Sequence, residues 1–401
     1  MTHLVLSLDY EIFGNGSGDV RRNMIEPTDR LLTLCDRYGA KVTIMFEVGE
    51  YWAIRKAEET GRLHLDYSPS RQIEEQIQRA VKGGHDVQLH LHPWWVGAAF
   101  KDDGWQLCPQ YRRISDLPHG EGSAGDVFSV VGALCEGKRT LEALVRPIRA
   151  EYECLVYRAA MFWGQPSEEL IRGLRKAGLA ADSSVVRGLY ETAPVPTDYR
   201  QAESAAGYWW TSAHDIGQPG PRGQHIVEFP VYSWMRPYVC NFRWTKLCVT
   251  LKRRQVEQAN THGHGMMEAR QSTESPGTIL KRLGSWQPFK YDFCKLSARD
   301  MIRGLRRVMK GDRAQNDGLG TPVVMLGHSK DFWNDRNLET FLKLVKTECD
   351  ARVGFSTLGE LTRRIVEKDA KSAEDDKFLS LPAGIDGCVE AKPRDDAFPA
   401  A

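Results

Sequence analysis

Gly84-His85-Asp86-Val87-Gln88-Leu89-His90-Leu91-His92 is the stretch on which the reading of this chain turns. Side chains alternate across a β-strand, so Leu89 and Leu91 turn one way while His90 and His92 project from the opposite face. Two imidazoles side by side suit one divalent metal ion. Upstream, Ile73, Ile77 and Val81 recur every four residues from Ser70, and Gly83-Gly84 stops that helix pattern just before the histidine strand.

The start of the chain supplies what such an ion lacks. Leu4-Val5-Leu6-Ser7-Leu8 is an apolar run of strand length that ends in Asp9-Tyr10-Glu11, and a period of two puts Asp9 and Glu11 on one face. Two histidines, one carboxylate and an open position make a zinc-type hydrolytic site, and a second carboxylate beside the ion can take a proton from water. Strand-end carboxylates and histidines also serve as satisfied hydrogen-bond partners. Both pairs falling at the ends of strands favours the metal.

Outward from these strands the pattern repeats. Pro27-Thr28-Asp29 opens a helix with Leu31, Leu34 and Cys35 inward and Gly39 behind it, and residues 41–46 read as the next strand. Strands are expected over 156–158, 226–231 and 322–326, and helices over 167–177, 297–310 and 337–347, where Ser297 and Asp300 resemble a capping box. Such alternation favours a parallel sheet, and functional groups at strand C-termini favour a barrel-like α/β enzyme. Residues 96–130, 187–222 and 236–292 break the repeat and read as insertions above the strand ends. From about Lys368 the chain turns charged, then rich in Pro, Ala and Gly, which predicts a barrel over 1–366 and a disordered tail over 367–401.

Five short motifs carry a family resemblance: Ser7-Leu8-Asp9-Tyr10-Glu11, Gly84 to Pro93, Tyr157-Arg158-Ala159-Ala160-Met161-Phe162, Ala181-Asp182-Ser183-Ser184 and Leu326-Gly327-His328-Ser329-Lys330. In this order, over about residues 4 to 361, they resemble the NodB-type polysaccharide deacetylase superfamily (carbohydrate esterase family 4). Two spacings depart from the family's usual form: the ligand histidines are two apart rather than four, and Asp-x-Glu replaces adjacent aspartates. With Asp86 to Trp95 these look like the WalW-like branch, associated with lipopolysaccharide gene clusters. The resemblance implies a distorted, incomplete (β/α) barrel of the glycoside hydrolase/deacetylase type with inserted loops.

Carried over residue by residue, the resemblance implies Asp9 as general base and Glu11, His90 and His92 as ligands of a divalent metal. The roles of Asp9 and Glu11 are interchangeable at this stage. Arg158 would orient the base and keep it ionised, and His328 would be the general acid. Asp182 or Asp331 would orient the imidazole; a turn cap for Asp182 and a helix start for Asp331 are their structural alternatives. A backbone N–H near Met161 or Phe162 would face the oxyanion, and Trp94, Trp95 and Phe162 would touch substrate.

The implied activity is removal of an N-acetyl group from a sugar, with precursors of surface polysaccharide or lipopolysaccharide as the implied substrates. Zinc is the expected ion, although such a ligand set also accepts cobalt, nickel or manganese. An amidohydrolase for a small non-sugar C–N bond and a carbohydrate-binding protein without turnover are the other two readings.

Composition bounds these expectations. The 401 residues are 41% hydrophobic, enough for a substantial core. A net charge of +1 gives no overall pull toward nucleic acid or an anionic bilayer. Nine cysteines without metal-ligand spacing, no leader pattern and no long apolar run predict a cytoplasmic protein without a membrane span. No heptad repeat speaks to oligomeric state. Three further features read as decoys: Gly14-Asn15-Gly16-Ser17-Gly18 lacks the dinucleotide-loop spacing and is expected to be an active-site turn. His262-Gly263-His264 has no strand pattern, and the basic run Lys246 to Arg254 reads as a solvated face.

Overall fold

Thr2–Tyr10 (β1) is buried along its whole length, as a strand inside a parallel sheet covered on both faces must be. The computed structural model that shows this describes residues 1–102, 104–119, 126–202, 207–241, 251, 285–311, 319–349 and 351–376. The other strands of the main sheet are Val42–Glu47 (β2), Asp86–Leu91 (β3), Val156–Ala159 (β4), Ala181–Asp182 (β5), Trp209–Trp210 (β6), Val227–Glu228 (β7), Thr321–His328 (β8) and Val353–Phe355 (β9). Their order is β6-β7-β5-β4-β3-β2-β1-β8, with β9 also on β1, and every pairing is parallel except β6 with β7.

The register of these strands builds the site. Asp9 lies opposite His328, Glu47 opposite His90, and His90 opposite Arg158. All five stand at or next to the C-terminal ends of parallel strands, where functional groups gather in βα architectures.

The sheet curls toward a barrel without completing it. Antiparallel β6 occupies the free edge of β7, so β7 and β8 meet only beyond it. There the Val231 N–H donates to Val185 O and the Tyr232 N–H to Val324 O, both at 2.9 Å. The fold is thus an α/β, distorted and incomplete (β/α) barrel.

Eight helices among the described residues alternate with these strands: Glu26–Arg37 (α1), Val48–Glu59 (α2), Pro69–Lys82 (α3), Val130–Val145 (α4), Glu168–Lys176 (α5), Ala298–Gly311 (α6), Asp335–Cys349 (α7) and Leu358–Asp376 (α8). In α3 the expected Ile73, Ile77 and Val81 are buried, and Ser68 rather than Ser70 is the cap, its Oγ accepting from the Arg71 N–H at 3.3 Å. The cap of α6 forms as the sequence suggests: the Asp300 N–H donates to Ser297 Oγ, whose hydroxyl donates to Asp300 Oδ2. Helix α8 is an addition to the sequence reading, as are α2 and α4. The latter two bury residues on several sides, which erases the one-sided stripe that marks a surface helix.

Of the expected insertions, 96–130 contains a hairpin of Ala99–Lys101 with Gly104–Gln106, and 187–222 a ribbon of Tyr190–Glu191 with Thr197–Asp198 but also β6 of the main sheet, so it is an insertion only in part. Most of 236–292 lies outside the described residues, as do His262, His264 and, apart from Leu251, the run from Lys246 to Arg254. Helix α8 runs through the boundary expected at 366 to Asp376, and residues 377–401 lie outside the described residues. No helix among the described residues is long and apolar enough to cross a membrane. The turn at Gly14 to Gly18 closes on itself: the Gly16 N–H donates to Phe13 O and the Ser17 N–H to Asn15 Oδ1. Gly16 sits at φ +78°, and a Cβ there would meet Trp105 Cβ at 2.8 Å, so the turn takes only glycine at that point.

Candidate active site

Arg158 reaches through the barrel interior and is completely buried. Its Nη1 donates to Asp9 Oδ1 at 2.6 Å, its Nη2 to the hydroxyls of Ser7 and Ser183 at 3.0 Å each, and its Nε to Ser183 O at 3.0 Å. Ser183 in turn donates to Phe229 O, and Ser7 to Met325 O. One guanidinium therefore ties β4 to both flanks of the barrel and fixes the Asp9 carboxylate, with the fork geometry that suits arginine to such a site.

Beside this pair, Glu11, His90 and His92 converge. His90 Nδ1 lies 2.9 Å from Arg158 O; the carbonyl can only accept, so Nδ1 carries the proton and Nε2 presents its lone pair. Glu11 Oε2 stands 3.6 Å from His90 Nε2 and 2.9 Å from His92 Nε2, and it is a buried carboxylate oxygen with no neighbour but these two imidazole nitrogens to satisfy it. Ligand atoms around a tetrahedral zinc-type ion are about 3.4 Å apart, which these spacings bracket. The donor set, its burial and the bare oxygen fit a divalent ion. A second convergent group, Asp9, Glu11 and His328, shares Glu11, but there Asp9 Oδ1 is already taken by Arg158.

The charges of the two carboxylates are held by their neighbours. Burial pushes Asp9 upward, yet Arg158, followed by His90 and His328, outweighs it and leaves the carboxyl below its usual range. Burial likewise raises Glu11, and Lys330 and His92 pull it well below that range. His328 Nε2 lies 3.5 Å from Asp9 Oδ2; burial is the main influence on its ring and takes the pKa to about 4, so the imidazole is neutral at neutral pH.

Several positioning groups escaped the sequence reading. Glu47 Oε1 accepts from the His92 N–H at 2.7 Å while Oε2 accepts from the Glu50 N–H, so one carboxylate caps α2 and holds the backbone of His92. Both oxygens of Glu50 accept from the Ile12 N–H, next to Glu11. Ser329 accepts from the Glu11 N–H and donates to Glu11 O, and Lys330 Nζ lies 2.6 Å from Glu11 Oε1. A carboxylate at a strand end with a helix pattern behind it was the available signal for Glu47; nothing local marks Lys330.

The remaining expected site residues divide. Trp94 stacks on His92 at 4.4 Å between ring centres, whereas Trp95 turns away to pack against Trp105. Phe162 carries the Lys290 ammonium 4.0 Å above its ring. Met161 and Phe162 hold φ values of +53° and +67°, a strained conformation for side-chain-bearing residues, and the Tyr199 hydroxyl steadies it by donating to Phe162 O at 3.1 Å. Asp331 is fully buried with Lys295 Nζ 3.1 Å from its Oδ2.

Asp182 is not drawn into the cluster. Its oxygens accept from the Ser184 N–H and hydroxyl, as the turn-cap alternative expects, and it lies in register with Glu228 on β7. Both acids are fully buried; burial and the charge of Asp182 push Glu228 well up, and burial raises Asp182, so the pair shares a proton. The native state keeps that proton and the unfolded chain loses it above about pH 4.3. Stability from this pair is therefore complete below that pH and declines as pH rises through the raised native pKa. Glu228→Gln keeps a donor without the titration, so its Tm should exceed that of the parent by about 1 °C at pH 9 for each kcal/mol regained in a chain of this size, and by nothing near pH 4. An equal difference at both pH values in thermal melts would contradict the shared proton.

Comparison with known proteins finds no matching family model and no matching curated protein. Among solved structures, a protein designated a polysaccharide deacetylase from Mycobacterium smegmatis aligns over 92% of this chain and 91% of its own at 12% identity and a TM-score of 0.39. A polysaccharide deacetylase designated as such from Pseudomonas aeruginosa PAO1 aligns over 94% and 93% at 10% identity and 0.40, and the PuuE allantoinase over 90% and 89% at 11% and 0.39. At these values the likeness assigns neither family nor activity, and the reading of the site rests on the chain's own topology and geometry.

Proposed function

We propose that this protein is a metal-dependent hydrolase that removes an N-acetyl group from a sugar, with Glu11, His90 and His92 as the ligands and Asp9 as the base. The observation that carries this is the bare, buried Oε2 of Glu11 set between two imidazole nitrogens, one of them fixed as a lone-pair donor by Arg158 O. A divalent ion held there would polarise the acyl oxygen and acidify a water molecule. Asp9 Oδ2, the oxygen Arg158 leaves uncovered, accepts the proton of the attacking water. His328 Nε2, neutral at rest, gains that proton across the 3.5 Å to Asp9 and delivers it to the departing amine nitrogen. The buried guanidinium keeps Asp9 ionised before attack and in one orientation throughout.

The sugar specificity is supported by the motif order. Surface-polysaccharide or lipopolysaccharide precursors are the substrates we favour. The test is acetate release from N-acetylated sugars by zinc-loaded protein, compared with small acyclic and cyclic amides. Acetate from the sugars supports the reading; turnover confined to the small amides replaces it with a small-amide hydrolase, and no turnover of either with ion bound leaves a binding protein.

A further inference from the structure

Lys330 is a buried lysine whose ammonium meets the reacting centre rather than solvent. Its Nζ lies 2.6 Å from Glu11 Oε1 and donates to Ile12 O at 2.9 Å, with the Phe13 ring 5.9 Å away. The preceding Ser329 clamps the Glu11 backbone through both its N–H and its C=O. The dipeptide after His328 thus holds Glu11 at three points, and only Oε2 is left bare, on the side of His90 and His92.

Two consequences follow from chemistry. A carboxylate can offer an ion one oxygen or two, and an ammonium seated on Oε1 restricts Glu11 to one. The charges also balance without any ion: Asp9 and Glu11 are matched by Arg158 and Lys330, each in a contact of 2.6 Å. A divalent ion entering between these two ion pairs meets carboxylates already matched one for one and is repelled by an ammonium on its own ligand. A lysine that served only to anchor the β8 end needs no carboxylate partner that is also a ligand.

We propose that Lys330 is a built-in counter-ion to Glu11 that confines it to single-oxygen coordination and loosens the site's hold on its metal. This rests on the metal-site reading of Glu11, His90 and His92. The experiment is calorimetric titration of Mn2+ into metal-free wild type, Lys330→Met and Lys330→Gln, with circular dichroism to verify folding. Methionine replaces the stem with matching apolar bulk and no charge, and glutamine keeps a donor without the charge. Lys330→Met should bind Mn2+ about tenfold or more tightly than wild type, with Lys330→Gln between them. Equal or weaker binding in the folded variants overturns the proposal and leaves the metal site standing. Binding by Lys330→Met alone supports the counter-ion role but removes the metalloenzyme reading, and no binding by any of the three proteins removes both.

Discussion

Asp9→Asn should lower kcat for acetate release by about 10²–10⁴, the usual contribution of a positioned general base, while the protein still takes up its divalent ion. Asparagine keeps the shape of the side chain and can still accept from Arg158 through its carbonyl oxygen, so the ligands at Glu11, His90 and His92 stay in place. What disappears is the acceptor for the proton of water. Metal content separates this role from the alternative in which Asp9 is a ligand and Glu11 the base: loss of the ion along with activity would exchange the two assignments.

The second large effect is structural and electrostatic at once. Arg158→Met should destabilise the protein by about 3–5 kcal/mol, because it leaves the Asp9 carboxylate buried without its counter-ion and takes the donors from the Ser7 hydroxyl and the Ser183 carbonyl. Arg158→Lys restores the charge but not the fork. A single ammonium cannot reach Ser7, Asp9 and Ser183 together, so it should recover only part of the loss in urea denaturation. It should also move the acid limb of the pH–rate profile upward. Burial by itself raises the Asp9 carboxyl and the guanidinium is what brings it down, so a poorer partner lets Asp9 protonate at higher pH. Full recovery of stability and an unshifted limb in Arg158→Lys would show that a single positive charge suffices and that the fork is not what holds Asp9.

The residues that the strand period could place came together: Asp9, Glu11, His90 and His92 lie on the faces expected of them, and Arg158 and His328 arrive through register at strand ends. Alternation along a strand and apolar spacing along a helix are local properties, so they survive in a single sequence. Trp94 and Trp95 show the limit. They are adjacent and chemically identical, yet one stacks on His92 and the other fills a gap beside Trp105, a difference set by the hairpin that brings Trp105 over. Glu47, Glu50 and Lys330 act through backbone groups or side chains distant in sequence, and no spacing rule reaches them. Asp182 sits in a motif position that the resemblance ties to the imidazole, but its partners are Ser184 and Glu228, supplied by its own turn and by β7.

Native mass spectrometry of the purified protein beside His92→Ala tests the central claim most directly. About one divalent ion per chain in the wild type, absent from a folded His92→Ala, is the expected result for a two-histidine, one-carboxylate site. A wild type that holds no ion after loading, or a His92→Ala variant that holds it undiminished, would contradict the assignment of Glu11, His90 and His92 as a metal centre.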